Sequence, residues 1–140
     1  MIDSPFRSEQ PPTAARACEL SSGLAEAGQA LTQADLRPFL FYLTDDQDVM
    51  TAGCKGEIAF RSAHISELWV DPELRGQGIG RTLLAQAEAH ARMQNCIRIH
   101  IETRNERARS LYEACGYHVF GKLERYENDT CYYYLEKPLE

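Results

Sequence analysis

Apolar positions recur with two different periods in the second half of the chain. The helical period, with apolar residues three or four positions apart, predicts a helix over residues 81–95 on a stripe formed by Ile79, Leu83, Leu84, Ala87 and Ala91. The alternating period predicts a strand over residues 96–102, with Ile97, Ile99 and Ile101 on one face and Arg98, His100 and Glu102 on the other. An apolar strand over residues 64–70 precedes both. Together they form a β-α-β unit, whose strands are parallel if they share a sheet.

Polar residues alternate in the strand over residues 96–102 in a way that is unusual for a parallel strand. Such strands are normally covered on both faces and read as continuous apolar runs. The polar face of Arg98, His100 and Glu102 therefore predicts a water-filled cavity beneath it.

Shorter patterns predict the remaining elements. Residues 39–43 and 49–60 read as an antiparallel strand pair, the second interrupted by Gly53 and Gly56. Asn105 can cap a further helix that stops at Gly116. Residues 117–125 and 131–135 then read as a hairpin that ends in a tyrosine-rich strand.

The first third of the chain carries weaker signals. Residues 1–17, with three prolines, predict a loose arm, and residues 18–34 predict one or two short helices broken near Gly23 and Gly28. A length of 140 residues suits one domain, which we place at residues 18–140.

Composition and charge narrow the class of protein. The net charge is -6, and residues 1–60 hold four Lys and Arg against nine Asp and Glu, which argues against nucleic acid and favours cationic partners. The absence of a long apolar run or signal peptide predicts a cytoplasmic protein that does not bind membranes. Five scattered cysteines without a zinc-type spacing predict free thiols and no metal.

The glycine-rich turn of residues 75–80 is the clearest candidate for chemistry. Glycines let the backbone approach a ligand, and amides at a helix N-terminus attract an anion such as phosphate. A dinucleotide fingerprint would need glycine where Arg81 stands, and a P-loop would need lysine there and glycine in place of Arg75. Neither motif fits, and a tight structural turn without a ligand is the alternative.

Two linked motifs resemble the GNAT N-acetyltransferase superfamily. Arg75-x-x-Gly78-x-Gly80, after a strand and before an amphipathic helix, resembles its acyl-CoA pyrophosphate loop. The segment over residues 105–117, N-E-R-A-R-S-L-Y-E-A-C-G-Y, resembles its next helix, N-x-x-A-x-x-L-Y-x-x-x-G-F/Y. The resemblance covers about residues 65–119, with the closing hairpin.

The resemblance implies an α/β fold and a cosubstrate. The fold would be a mixed, mainly antiparallel sheet, splayed at its one parallel strand pair, with helices on both faces. The activity would be transfer of an acetyl group from acetyl-CoA to a primary amine of a small molecule or protein, within a ternary complex. Homodimers are common in the superfamily. The residues implied in cofactor binding are Leu68, Trp69, Val70, Arg75, Gly76, Gln77, Gly78, Ile79, Gly80, Arg81 and Asn105, of which Asn105 would serve the cofactor, cap its helix, or both.

The resemblance also implies an acid, Tyr112. A phenol with a pKa near 10 can stabilise or protonate the leaving thiolate. The alternative for Tyr112 is a core aromatic on the apolar stripe of its helix.

Three residues compete for the role of base, because an amine with a pKa of about 10.4 must lose its proton before it attacks. Glu102 is the first choice, directly or through water, followed by Glu67 and then His64. Each has a structural alternative, as a salt-bridged glutamate or a hydrogen-bonded histidine.

Two further hypotheses concern other side chains. Cys115 lies on an apolar stripe, which favours inert packing over a covalent acetyl carrier. Trp69 and the tyrosines Tyr132, Tyr133 and Tyr134 are candidates for an acceptor pocket, with sheet packing as the alternative. At the level of the whole chain, the rivals are a non-catalytic acyl-CoA-binding or protein-interaction module and a domain without a ligand.

Overall fold

Six strands form one sheet in a computed structural model that describes residues 5–28 and 35–140. In chain order they are β1 (Leu36–Thr44), β2 (Met50–Ala59), β3 (Ser62–Val70), β4 (Arg98–Thr103), β5 (His118–Glu127) and β6 (Thr130–Pro138). Their order across the sheet is β1-β2-β3-β4-β6-β5. Only β3 and β4 pair in parallel, and the other neighbours are antiparallel. The predicted mixed, mainly antiparallel sheet with one parallel pair is confirmed.

The apolar stripe predicted after the glycine turn forms helix α2 (Ile79–Met93). It begins two residues before the predicted start, because Gly78 already serves as its N-cap. The helix buries Leu83, Leu84, Ala87 and Ala91 in the core cluster. The same cluster holds Ile58, Ile65, Ile99 and Leu135, which are fully buried strand residues. The stripe therefore lies against the apolar face of the sheet.

Helix α3 (Glu106–Ala114) follows β4 as predicted. The Asn105 side chain accepts a hydrogen bond from the Ala108 amide at 3.1 Å and so caps the first turn. After the helix, Gly116 has φ +95°, in the left-handed region that glycine adopts without strain. Tyr112 of α3 lies in the same core cluster as the buried residues of α2.

Close backbone approach explains one of the two glycines that interrupt the predicted strand over residues 49–60. An added Cβ at Gly56 would lie 2.1 Å from the His64 carbonyl oxygen and 2.7 Å from the Phe39 ring. The register between β2 and β3 shifts at this point, between Lys55 and Gly56. The strand is therefore continuous but carries an irregularity, rather than a break, at Gly56.

Residues before β1 belong to a separate unit, Met1–Ala34, and the sheet belongs to the unit Asp35–Glu140. The first unit contains helix α1 (Ala14–Glu26), capped by the Thr13 side chain, which accepts from the Arg16 amide. The Thr13 cap starts the helix within the segment predicted as a loose arm. The helix also continues through Gly23, where a break was predicted. It ends before Gly28, which has φ +69°. Residues 29–34, which were also predicted to be helical, lie outside the described residues. The predicted boundary between an arm of residues 1–17 and a domain of residues 18–140 stays a prediction.

Within the described residues, no helix is both long enough and apolar enough to cross a bilayer. All five cysteines are free thiols, as predicted, and Cys54 and Cys96 are buried.

A buried ion pair joins α2 to the last strand. The Glu88 side chain, only 7% exposed, accepts from Lys137 Nζ at 2.5 Å and from the Tyr117 hydroxyl at 3.2 Å. We expect Lys137→Met to lower the free energy of unfolding by about 3 kcal/mol, because it leaves a buried carboxylate without its counter-charge. Urea unfolding of the single variant and of the double variant with Glu88→Leu tests this. The double variant should regain part of the loss, and a single variant as stable as the parent would contradict the prediction.

Candidate active site

A cavity of about 910 Å³ opens where the two parallel strands separate. Pairing between β3 and β4 ends at Ile65 and Ile101, although β3 continues to Val70 and β4 to Thr103. The start of α2 and one side of α3 complete the walls. The walls include these residues singled out from the sequence: Glu67, Leu68, Trp69, Val70, Arg75, Gly76, Gly78, Ile79, Gly80, Arg81, Glu102, Asn105 and Tyr112. Gln77 belongs to the same loop but is not among the lining residues.

The glycine turn forms the mouth of the cavity. Gly76 and Gly78 both have φ +80°, and an added Cβ at either would have nothing within 4 Å. Among the described residues, no side chain caps α2 at Gly78. The first amide bonded within the helix is that of Thr82, which donates to the Gly78 carbonyl at 3.0 Å. The amides of residues 79–81 are therefore free to bind an anion at the positive end of the helix dipole.

The last residues of β3 present one open backbone edge. Leu68 and Val70 pair with Cys54 and Ala52 of β2 on one side, while the pairing with β4 has already ended on the other. Arg75 Nε donates to the Val70 carbonyl at 3.1 Å, which ties the glycine turn to the end of the strand. An amide-containing chain can pair with the open edge as an added strand does.

Tyr112 lines the cavity and is only 5% exposed. Burial, with a smaller contribution from nearby Cys54, raises the pKa of its phenol to about 12. Within residues 5–28 and 35–140, no hydrogen bond engages its hydroxyl. Tyr112 belongs both to the core cluster and to the cavity wall, so its two sequence-based interpretations are compatible.

Asn105 also combines both of its predicted positions. Its side-chain oxygen caps α3, and the residue lines the cavity. The side-chain NH₂ group is not used in that cap and remains a possible donor to a ligand.

Glu102 of β4 lines the cavity, and its carboxylate contacts the His64 side chain of β3. His64 Nε2 lies 2.7 and 2.9 Å from the two carboxylate oxygens of Glu102, and His64 Nδ1 lies 2.9 Å from Glu57 Oε1. Burial alone would lower the pKa of His64, but its hydrogen bonds to Glu57 and Glu102 and their negative charges outweigh burial and raise that pKa. His64 itself is not among the residues that line the cavity.

Glu67 lines the same cavity in a more exposed position. Its side chain is 72% exposed and pairs with Lys55 at 3.5 Å. The register shift at Gly56 leaves Ser66 without a strand partner, so Glu67 lies on the polar face and Leu68 packs against the core. Without this irregularity, the alternation from Ile65 would turn Glu67 into the core.

The predicted cavity beneath the polar face of β4 is present at Glu102 but not along the whole strand. Arg98 donates to the Ser62 hydroxyl at 2.9 Å, and the His100 ring stacks on His64 at 4.7 Å. Neither lines the cavity. Hydrogen bonding and ring stacking, rather than water in a cavity, therefore account for these two side chains.

The tyrosines of β6 do not line the cavity, whereas Trp69 does. Tyr133 donates to Glu106 at 2.9 Å and lies against the Arg109 guanidinium at 4.6 Å. Tyr132 and Tyr134 contact each other edge to face at 5.2 Å. These contacts are of the kind that the packing alternative predicts, but Tyr134 is paired with Glu102 between β6 and β4, so a part for these tyrosines in an acceptor pocket stays a prediction. Cys115 packs against the core and is also outside the cavity wall.

Among the described residues, one group brings metal-type ligand atoms together: His64, His100 and Glu102, within 4.8 Å of one another. The two rings are stacked with 16° between their planes, so their lone pairs run side by side rather than converging. The Nε2 atom of His64 is already engaged by Glu102. We therefore do not assign these residues as metal ligands.

Glu57 is the site residue that the sequence interpretation missed. It was detectable, because Ala59 and Ser62 flank a two-residue turn and counting outward from them places residue 57 opposite residue 64. Facing side chains of an antiparallel pair contact each other.

Comparison with known proteins identifies the class to which this fold and cavity belong. The chain is 30% identical over 105 residues to the blasticidin-S acetyltransferase of Streptomyces morookaense, covering 74% of this chain and 77% of that one. It superposes on the crystal structure of an acetyltransferase from Bacillus cereus with a TM-score of 0.81 at 21% identity, covering 94% and 97% of the two chains. It superposes on an aminoglycoside 6'-N-acetyltransferase complexed with coenzyme A with a TM-score of 0.65 at 16% identity, covering 74% and 73%. The fold is that of an acetyltransferase.

The family model described as the acetyltransferase (GNAT) family matches residues 8–117. The chain belongs to this family, and the resemblance found in its two motifs is confirmed.

Proposed function

We propose that the protein transfers an acetyl group from acetyl-CoA to a primary amine. One observation supports this most directly. A single cavity unites free helix N-terminal amides, an open strand edge, a buried phenol and two carboxylates. These are the groups that a diphosphate, a pantetheine arm, a leaving thiolate and an amine acceptor would each require.

The cofactor would lie along the length of this cavity. The amides of residues 79–81 would bind the diphosphate, with Arg81 adding positive charge at the rim. The pantetheine arm, which carries amides, would pair with the open edge of Leu68 to Val70 and place the thioester near Tyr112. The structural neighbour complexed with coenzyme A supports this choice of cosubstrate.

The acetyl group would pass directly from sulfur to the amine. Glu102 accepts the proton of the ammonium group, and the free amine then attacks the thioester carbonyl. The Tyr112 hydroxyl stabilises the charge that develops on the leaving sulfur. A thiol has a pKa of about 8.5, well below the value for Tyr112, so hydrogen-bond donation is favoured over full proton transfer.

A covalent acetyl-cysteine intermediate is disfavoured by the burial of Cys54 and by the position of Cys115. Burial raises the pKa of Cys54 to about 11, which keeps it protonated at neutral pH and a poor nucleophile. Cys115 does not line the cavity. Both observations support direct transfer in a ternary complex.

An amine panel tests the proposed activity. Release of free coenzyme A from acetyl-CoA would be measured after protein removal, because the five free cysteines of the chain would react with a thiol reagent. The panel holds a polyamine, an aminoglycoside, an amino acid, a peptide and, on the name of the Streptomyces relative, blasticidin S. Amine-dependent release supports the proposal. Tight binding of coenzyme A without release by any amine would instead support the non-catalytic binding module.

Two further expectations from the sequence, a cytoplasmic location and a homodimer, stay predictions.

Affinity for coenzyme A should depend on Gly78. We expect Gly78→Ala to weaken binding about tenfold or more, because a methyl group there meets no protein atom within 4 Å and would occupy space for the diphosphate. Isothermal titration calorimetry with coenzyme A measures the change. Gly28→Ala is the matched control, since Gly28 has φ +69° and equally open surroundings but does not line the cavity. Equal losses in both variants would contradict the prediction.

A further inference from the structure

A line of three side chains crosses the polar face of the sheet and ends in the cavity. Glu57 of β2 contacts His64 of β3, which contacts Glu102 of β4, at 2.9 and 2.7 Å. The exposed fraction of the three side chains is 37%, 26% and 23% in that order. Only Glu102 lines the cavity, so an acceptor amine would meet Glu102 and not the other two.

We propose that His64 takes up the acceptor's proton through Glu102, and that Glu57 is a positioning residue that fixes the orientation of the His64 imidazole. The proposal rests on the proposed function and deepens it by assigning where the amine proton is held during acyl transfer. A carboxylate alone is a weak base, with an ordinary pKa of about 4.3, against an amine of about 10.4. An imidazole is closer in basicity to the amine and is the better acceptor.

Each ring nitrogen of His64 faces a carboxylate, Nδ1 that of Glu57 and Nε2 that of Glu102, so the contacts alone allow either tautomer. We assign the proton of the neutral imidazole to Nδ1, facing Glu57, which leaves the lone pair on Nε2 facing Glu102. An imidazole oriented by a carboxylate in this manner accepts a proton at its far nitrogen without turning. The two distances to Glu102, 2.7 and 2.9 Å, are those expected for an Nε2–H donor facing the carboxylate, so the contacts fit the imidazolium that forms once the proton has been taken up.

The proton can be followed through one reaction cycle. The ammonium N–H bond breaks as a Glu102 oxygen accepts the proton, and Glu102 passes the proton to Nε2, which makes His64 an imidazolium between two carboxylates. The amine attacks the carbonyl carbon and the carbon–sulfur bond breaks, while the second proton that the nitrogen loses as the amide forms goes to the leaving sulfur, so the amide and the coenzyme A thiol depart. The proton then returns from Nε2 through Glu102 to water in the cavity, which restores neutral His64.

The charged and titratable groups around His64 determine the pKa of its imidazole. Glu57 faces it from β2, and Glu102 and His100 face it from β4. Beyond His100 lie the charges of Glu136 and Arg98. Burial, followed by the positive charge of His64, lowers the pKa of His100, which disfavours a second positive charge on the stacked pair.

The first test is the pH dependence of kcat/KM. Activity needs neutral His64, so kcat/KM should fall as pH drops below the raised pKa of His64. Glu57→Gln keeps an oxygen that accepts Nδ1–H but removes one charge that raises this pKa, so the acidic limb should move to lower pH. Glu57→Leu also removes the acceptor, and its kcat at high pH should fall about tenfold below that of Glu57→Gln. Glu136→Gln is the control, because it removes a carboxylate of β6 that lies opposite His100 and does not contact His64. It should leave the acidic limb of the pH profile unchanged.

The second test does not depend on turnover. Histidine ring signals followed by NMR against pH, with the His64 signal identified from its absence in His64→Gln, report the titration midpoint directly. The proposal expects this midpoint and the kinetic limb to move together in Glu57→Gln. A midpoint that moves while the limb stays would overturn the proposal and leave the proposed function standing. A parent protein without turnover on any amine would instead overturn the proposed function.

Discussion

Tyr112→Phe should reduce kcat by about 100-fold, the usual cost of one hydrogen-bond donor to a developing charge in a buried site. The phenol is 5% exposed and its pKa is raised to about 12, so it is neutral across the physiological range and always carries the proton it donates. The leaving sulfur gains its negative charge in the transition state. Affinity for acetyl-CoA should change little, because the hydroxyl serves that later charge and not the ground state.

A second buried tyrosine provides the control. Tyr117 lies in the same core, with its ring 6.1 Å from that of Tyr112, but its hydroxyl donates to Glu88 and does not line the cavity. Tyr117→Phe should lower stability and leave kcat unchanged. Steady-state kinetics and calorimetric binding on both variants separate rate from affinity. Full activity in Tyr112→Phe would remove this residue from the mechanism.

Gly56→Ala should lower the free energy of unfolding by about 3 kcal/mol or more. The new methyl carbon would lie 2.1 Å from the backbone oxygen of His64, and a backbone oxygen within a paired strand cannot rotate away. Phe39 blocks the other side at 2.7 Å. Relief requires β2 and β3 to move apart at the point where Glu57 meets His64, so the active site should be damaged together with the fold.

Gly121→Ala is the matched control for this substitution. Gly121 also lies in a strand, but the nearest atom to an added Cβ is the Tyr134 ring at 3.9 Å, an ordinary contact. Urea unfolding monitored by circular dichroism should place Gly121→Ala within about 1 kcal/mol of the parent. If Gly56→Ala were equally stable, the close approach of β2 and β3 would not exist in solution.

The parts of the fold that depend on local signals were predictable from the sequence. A helical stripe, an asparagine cap and a glycine stop each act within a few residues, so α2 and α3 lie close to their predicted positions. The β-α-β order then constrains β3 and β4 to be parallel. The splay of this pair was expected only from the family resemblance, and the point where the pairing ends, at Ile65 and Ile101, is visible only in the structure.

The face of the sheet on which Glu67 lies could not be predicted from the sequence of β3 alone. An irregularity with one extra residue reverses the alternation after Ile65, and both it and the close approach of Gly56 to His64 are visible only in three dimensions. The order of importance among candidate bases was similarly open. His64 was placed third when each residue was judged alone, and the role that we propose for it rests on its contacts with two carboxylates on neighbouring strands.

The position of β6 has a consequence for biosynthesis. The sixth strand to be made lies between β4 and β5, so until Thr130–Pro138 has left the ribosome β4 is paired only on its β3 side and β5 has no strand partner. During synthesis the nascent chain exposes an unsatisfied strand edge at β4, which makes this interval the one in which association with other chains is most favoured. A stop codon placed before residue 130 should therefore yield inclusion bodies rather than a shortened enzyme.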